Sequence, residues 1–349
     1  MSKRKQDANA DEFWSLARSF LKVYLPNARE VSPNTVKAYK QALDALINYL
    51  EDSGFTRDTM EIDALTPSCI EGFMVWMSKE RNCKARTCNL RLSAIKTFLR
   101  YCGRHTIVNE SISREVLALP MKKVQKEKIE YMSSEAIAAI MRAPDNKSIF
   151  GRRNKAILTL LYDSAARVQE LVDIEIGDMY LSDKSGVISE PFVTLRGKGN
   201  KLRNVNLSPK TALLIQSYIN EFHPEASQNA PLFYTKRSGS LWPLSVDSVS
   251  RILKENADKA RLNVSEIPEK IYCHLVRKSR AMHLYIAGVP LAAIMELLGH
   301  SSMNTTSGFY AFVTWEMVSD AMKKANEGHL DGEMLWKEPG VIKKLYTLD

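Results

Sequence analysis

The chain has 349 residues, and 49 Lys and Arg against 40 Asp and Glu leave a formal net charge of +9. That length favours two domains over a single core, and the basic excess suits a polyanionic partner. Five cysteines (Cys69, Cys83, Cys88, Cys102, Cys273), none spaced as C-x-x-C, and no H-E-x-x-H argue against a disulfide framework or a metal site, so no metal and no cofactor are expected.

Residues 1–10 are polar, with no apolar stretch of the signal-peptide kind, and no run of about 18 apolar residues occurs. They read as a short tail on a cytoplasmic protein with no membrane contact. Residues 11–120 read as helices throughout. Phe13, Leu16, Ala17, Phe20, Leu21 and Tyr24 recur at i, i+3, i+4 spacing over 11–25, and Val36, Tyr39, Leu43, Leu46, Ile47 and Leu50 do the same over 33–50. Ser32-Pro33 and Thr66-Pro67 are helix-opening pairs, and Gly54 stops the second helix. A fourth helix over 84–102 has Cys88, Leu92, Ile95, Leu99 and Cys102 on one side. At ~100° per residue, Arg86, Lys96, Arg100 and Arg104 fall on the other.

Between Arg81 and Arg104 stand seven basic residues (Arg81, Lys84, Arg86, Arg91, Lys96, Arg100, Arg104) and no Asp or Glu. A merely solvated helix face usually interleaves signs to form i, i+4 pairs. A stripe of one sign points to phosphates, with Lys84, Arg86, Arg91, Lys96, Arg100 and Arg104 as the candidate contacts to a nucleic-acid backbone. Residues 121–132 are charged and aperiodic, and read as an interdomain linker that adds Lys122 and Lys123 to the phosphate contacts. Such a linker would let two domains close around a cylindrical ligand as a C-shaped clamp.

The second domain, 133–330, opens with Ser133 as a helix cap, and Arg167 stands at the start of a short helix. The period then changes: Phe192 to Leu195 and Leu202 to Leu207 flank the turn Gly197-Lys198-Gly199-Asn200, a hairpin in a small antiparallel sheet. Lys198 sits at its tip, and Lys201 and Arg203 are further candidate phosphate contacts. Helices resume from Ser208-Pro209, again over 245–260, and in a segment with His274 and Arg277 three apart on one face. Gly299 ends a helix just before His300. Tyr310 lies among Phe309, Phe312 and Trp315, and residues 331–349 form an apolar tail. His223 and His283 are assigned to packing. The fold class is thus mainly α with a small antiparallel sheet: a helical N-terminal domain plus an α+β catalytic domain.

Arg167, Lys198, His274, Arg277, His300 and Tyr310 together make chemical sense. Two guanidiniums can bind phosphate oxygens, a lysine and two histidines can move protons, and a phenol can attack phosphorus. Their surroundings resemble the tyrosine recombinase (phage integrase) family. The matching segments are Ala165-Ala166-Arg167-Val168-Gln169-Glu170-Leu171, Arg196-Gly197-Lys198-Gly199-Asn200-Lys201-Leu202-Arg203, His274-Leu275-Val276-Arg277, Leu297-Leu298-Gly299-His300-Ser301-Ser302 and Thr305-Thr306-Ser307-Gly308-Phe309-Tyr310.

The resemblance implies a metal- and ATP-independent enzyme. Tyr310 is then the nucleophile, Arg167 and Arg277 the charge stabilisers, Lys198 the general acid, His274 a general base and His300 a hydrogen-bond donor. It implies double-stranded DNA with paired recombination sites as partner, a homotetramer on synapsed DNA and a monomer or weak oligomer otherwise, in a prokaryotic nucleoid. The step from His300 to Tyr310 is ten residues, one more than in Xer-type members and similar to many phage and transposon integrases, which favours a mobile-element integrase. Lys278 and Phe312 stand where the family often has histidine. Gly308 costs its helix about 1 kcal/mol against alanine, predicting that a neighbouring subunit orders Tyr310. The tail would pack on that neighbour. The alternatives are Xer-like chromosome or plasmid dimer resolution, a type IB topoisomerase, and a DNA-binding accessory protein that has lost turnover.

Overall fold

The computed structural model describes residues 3–299 except 106, 125–129, 182–189, 198–200 and 226, together with 319 and 322; the side chains of 3–10, 107 and 108 are not described. The chain divides into two compact units, Met1–Lys126 and Glu127–Asp349. Both are predominantly helical, and the second also holds small antiparallel sheets.

In the first unit α1 (Lys3–Ser19) widens into a π-helix over Phe20–Ala28, where Pro26 removes a backbone donor. Next come α2 (Pro33–Asp52) and α3 (Pro67–Lys79), each opened by a proline and capped by a hydroxyl, Ser32 Oγ accepting from Thr35 N at 3.3 Å and Thr66 Oγ1 from Cys69 N at 3.3 Å. Helix α4 (Ala85–Cys102) is the hub, packed by α2, α3 and α5 (Ile107–Ala118). It buries Cys88, Leu92, Ile95, Phe98, Leu99, Tyr101 and Cys102, each large apolar side chain contributing roughly 1.5–3 kcal/mol. Helix α5 falls within the span read as helical, although no apolar periodicity sets its bounds, because polar Asn109 and Ser113 are among its buried residues.

The segment after α5 is bound rather than free at its start. Asn89 clasps the backbone of Lys122 twice, Nδ2 donating to Lys122 O at 2.8 Å and Oδ1 accepting from Lys122 N at 2.9 Å. The expected linker therefore begins as part of the first unit.

The second unit is built on α6 (Ser134–Arg142), α7 (Ile149–Asp163) and α8 (Val168–Val172), followed by β1 (Met179–Tyr180), β2 (Phe192–Arg196) and β3 (Leu202–Asn206). The sheet order is β1-β2-β3, antiparallel, with Val193 opposite Val205 and Leu195 opposite Arg203. Val193 and Leu195 alternate into the core, which fixes the register. Then follow α9 (Pro209–Phe222), a second hairpin of β4 (Tyr234–Arg237) and β5 (Ser240–Pro243), α10 (Val246–Arg261), α11 (Cys273–Ile286) and α12 (Leu291–Leu298). Ser238 and Gly239, both at positive φ (47° and 81°), make the tight turn of that second hairpin, which the sequence reading does not assign.

Helix α11 anchors the start of this unit. Ser279 Oγ accepts from Met132 N at 2.9 Å, and His283 Nε2 donates to Met132 O at 2.9 Å. A donor at Nε2 makes Nδ1 the acceptor for Tyr162 Oη at 2.8 Å. His223 Nε2 likewise donates to Leu232 O at 2.8 Å, so both histidines serve packing.

Candidate active site

The end of α7 sets the site. Asp163, nearly buried, accepts from Ser208 N at 2.8 Å and from Arg280 at 2.9 Å, pinning α7 to the start of α9 and to α11. Two residues on, Ala165 adopts a left-handed conformation (φ 48°), which costs an L-residue about 1–2 kcal/mol. Its carbonyl accepts from Arg277 Nη1 at 2.6 Å, so the strained turn is held by the guanidinium it faces. Leu298 O accepts from Arg277 Nη2, which ties the end of α12 to the same group. Arg277 is 2% exposed, and burial together with the charge of Arg167 pushes its pKa down to about 9 against the opposing pull of Glu170; it remains charged at neutral pH.

Arg167 precedes α8 and presents the open guanidinium, its side chain 38% exposed. Glu170, at the third position of α8, accepts from Arg167 N at 2.8 Å through Oε2 and from Arg167 Nη1 at 2.6 Å through Oε1. It also accepts from Arg203 twice, at 3.0 Å and 2.6 Å, and lies 3.7 Å from Arg277. One carboxylate thus faces three guanidiniums. Burial alone pushes its pKa up, but the bonds from Arg203 and Arg167 outweigh it and hold the carboxyl at about 2.

His274 stands in the first turn of α11, one turn before Arg277. Partial desolvation and the charges of Arg277, Lys278 and Arg167 hold its pKa below the ordinary histidine value, so the ring is neutral at neutral pH and able to accept a proton. The structure thus brings Arg167, His274 and Arg277 into one electrostatic neighbourhood. Lys198, His300 and Tyr310 lie outside the described residues, as do Gly308 and the 331–349 tail. Among the described residues no group of three or more His, Cys, Asp or Glu side chains is placed to hold a metal ion, and no helix is long and apolar enough to cross a membrane.

The ten candidate DNA contacts divide. Lys84, Arg86, Arg100, Arg104, Lys123 and Lys201 are exposed. Arg100 and Arg104 line a concave surface of the first unit together with Arg114, whose own guanidinium pairs with Glu110 at 2.8 Å. Three others are turned inward, against the expectation of an unbroken phosphate-facing set. Lys96 Nζ donates to Leu117 O at 2.9 Å and Leu119 O at 2.5 Å, because the end of α5 offers carbonyls without helical partners. Lys122 Nζ donates to Met74 O at 3.1 Å and to Ser78 Oγ. Arg203, with 12% of its side chain exposed, is committed to Glu170 and to Leu297 O at 2.9 Å. Arg91 is half-buried, with Cys83 Sγ 3.6 Å away. Glu170 and Arg203 are the site residues that the sequence reading leaves without a structural role at the site. The signal for Glu170 was a carboxylate three residues after Arg167 at a helix start.

A helical unit joined to an α+β unit, with guanidiniums and a neutral imidazole gathered at helix ends, holds the groups that phosphoryl transfer requires: cations to bind an anion and a base to accept a proton. Residues 130–316 match the Phage integrase family, and residues 19–105 match the Phage integrase, N-terminal SAM-like domain. The chain belongs to the phage integrase family and is a tyrosine recombinase, a site-specific enzyme that cleaves and rejoins DNA.

It is 29% identical over 318 residues to the tyrosine recombinase XerC of Myxococcus xanthus, covering 87% of this chain and 95% of the relative. To the XerC of Chlamydia caviae it is 28% identical over 311 residues, covering 84% and 93%. In fold it is similar to the Tn1549 transposon integrase solved in complex with transposon right end DNA, with a TM-score of 0.65 at 16% identity, covering 88% of this chain and 98% of that one.

Proposed function

We propose that Tyr310 attacks a scissile DNA phosphate, forming a 3′-phosphotyrosyl bond and releasing a 5′-hydroxyl. The observation that supports this most is the gathering of Arg167 and Arg277 on Glu170, with a neutral His274 under the charges of both guanidiniums. Arg167 and Arg277 offset charge developing at phosphorus, His274 accepts the phenol proton, Lys198 protonates the departing 5′-oxygen and His300 donates to the phosphate. The covalent bond conserves the energy of the broken one, so a 5′-hydroxyl from a partner duplex reverses the step without ATP or metal.

Residues 11–120 are the core-site-binding domain and 133–330 the catalytic domain, joined by 121–132 and closing on duplex DNA as a clamp in the cytoplasm. Lys84, Arg86, Arg100 and Arg104 contact phosphates, and four protomers assemble on two paired sites, with 331–349 reaching the neighbouring protomer. The ten-residue step from His300 to Tyr310 supports a mobile-element integrase. Xer-like dimer resolution is a second reading, supported by the near full-length likeness to two XerC proteins.

Incubation with the paired ends of a circularised element, alongside a chromosomal dimer-resolution site, tests both readings. Holliday junctions on the element ends are expected from the native chain and none from Tyr310→Phe, which still binds DNA. Junctions on the chromosomal site alone would favour dimer resolution. Plasmid relaxation without any junction would contradict both.

A further inference from the structure

Arg203 is read from the sequence as a phosphate contact, yet its guanidinium is turned inward and each of its three nitrogens donates a hydrogen bond. Nε donates to Leu297 O at 2.9 Å, while Nη1 and Nη2 fork onto the two oxygens of Glu170 at 3.0 Å and 2.6 Å. Two glycines flank the same group. A Cβ on Gly299 would lie 3.2 Å from Arg203 Nη1, and one on Gly197 would lie 3.4 Å from it. Gly299 takes φ 58°, so its left-handed turn and its missing side chain both suit the guanidinium packed against it. Gly197 is closed onto the other side of the hairpin by its N–H donating to Lys201 O at 2.8 Å.

These contacts fall at informative points of the chain. Gly197 immediately precedes Lys198, Gly299 immediately precedes His300, and Glu170 is the residue that holds Arg167. We infer that Arg203 is a positioning residue for strand cleavage: it fixes the two glycines from which Lys198 and His300 depart and the carboxylate that orients Arg167. A planar guanidinium meets both oxygens of a carboxylate in parallel while its Nε holds a carbonyl, a fixed geometry that the single ammonium of a lysine does not reproduce. Opposite β2, Arg203 pairs with Leu195, whose side chain is buried, so the register of the hairpin aims the guanidinium at the site.

The inference rests on the recombinase reading above and is tested with the full chain as native, Arg203→Ala, Arg203→Lys and Tyr310→Phe. The probe is a nicked duplex that the native chain cleaves, prepared with the ordinary scissile phosphate and with sulfur replacing the bridging 5′-oxygen. A thiolate leaving group, with a thiol pKa near 8.5, needs no general acid.

Arg203→Ala is expected to slow adduct formation about 100-fold on the ordinary duplex, the scale of a small misplacement of catalytic groups, and less than about 10-fold on the sulfur duplex. Arg203→Lys, which keeps a charge opposite Glu170, should fall between native and alanine. DNA affinity should change less than about 2-fold, with the same salt dependence. A phosphate contact would instead weaken binding and lower the salt slope by about 1, and that result overturns the inference. Equal slowing on both duplexes by both variants also overturns it, since a general loss of folding is blind to the leaving group. An adduct with Tyr310→Phe removes the proposed assignment of Tyr310, on which the inference rests. Native rates in both Arg203 variants remove only the role of Arg203.

Discussion

Glu170 supplies the counter-charge for Arg167, Arg203 and Arg277 from a side chain only 4% exposed. Its carboxyl sits at about 2, below the ordinary glutamate value of 4.5, so its stabilising contribution is complete above about pH 4.5 and is lost as the pH falls through about 2. Glu170→Gln should therefore lower the stability of the native chain at pH 7 by about 3 kcal/mol, because it leaves three guanidiniums short of a partner. It should also flatten the acid limb of the stability curve, as followed by urea unfolding between pH 2 and pH 7. An unchanged unfolding midpoint at pH 7 would show that the cluster is not coupled as described.

His274 titrates below 6.5, for reasons of desolvation first and neighbouring cations second. Cleavage should hold at neutral pH and decline on the acid side as the ring takes up a proton. His274→Gln should lose that limb and about 100-fold in rate, measured as adduct formation against pH. Arg167 stands out through the short motif around it, and His274 and Arg277 through their spacing of three on one helix, although no local pattern shows that the two segments meet. The roles of Glu170 and Arg203 were not legible, since a buried ion cluster depends on which helix ends meet, and that meeting is made between α8, β3 and α12.

Helix α4 shows how far periodicity reaches at the scale of an element. The spacing of Cys88, Leu92, Ile95, Leu99 and Cys102 marks its core face, and the structure buries all five. The opposite side was read as a uniform basic stripe, but a lysine stem is long enough to turn its ammonium back to the protein. Lys96 does so because α5, hidden from the pattern by its buried polar residues, ends within reach. Burial and the charge of Arg100 lower the pKa of Lys96 accordingly.

Two substitutions separate these roles. Lys96→Met should cost the chain about 1–3 kcal/mol by leaving the carbonyls unpaired, with the salt dependence of DNA binding unchanged. Arg100→Ala should alter stability by less than about 0.5 kcal/mol and reduce the salt slope of binding by about 1. Binding titrations across salt concentrations, paired with thermal unfolding, check both. A smaller salt slope for Lys96→Met would restore that residue to the DNA-facing stripe. The second hairpin, β4 and β5, was missed for a different reason: its strands are four residues long and mostly exposed, so they leave little alternation to read, although Ser238-Gly239 marked the turn.

At the level of the whole molecule, the chain has two units, each with its own core, as its length suggests, and the helical first unit and α+β second unit agree with membership of the phage integrase family. On the function proposed above, Arg167, Lys198, His274, Arg277 and His300 all serve one phenol. The most direct measurement of this is trapping on nicked duplex DNA, where the freed end diffuses away and religation fails, followed by peptide mapping of the protein–DNA adduct. One adduct is expected, on the peptide containing Tyr310, joined through a 3′-phosphate and formed with a metal chelator present. An adduct on another residue, or cleavage that stops when the chelator is added, would contradict the proposed function.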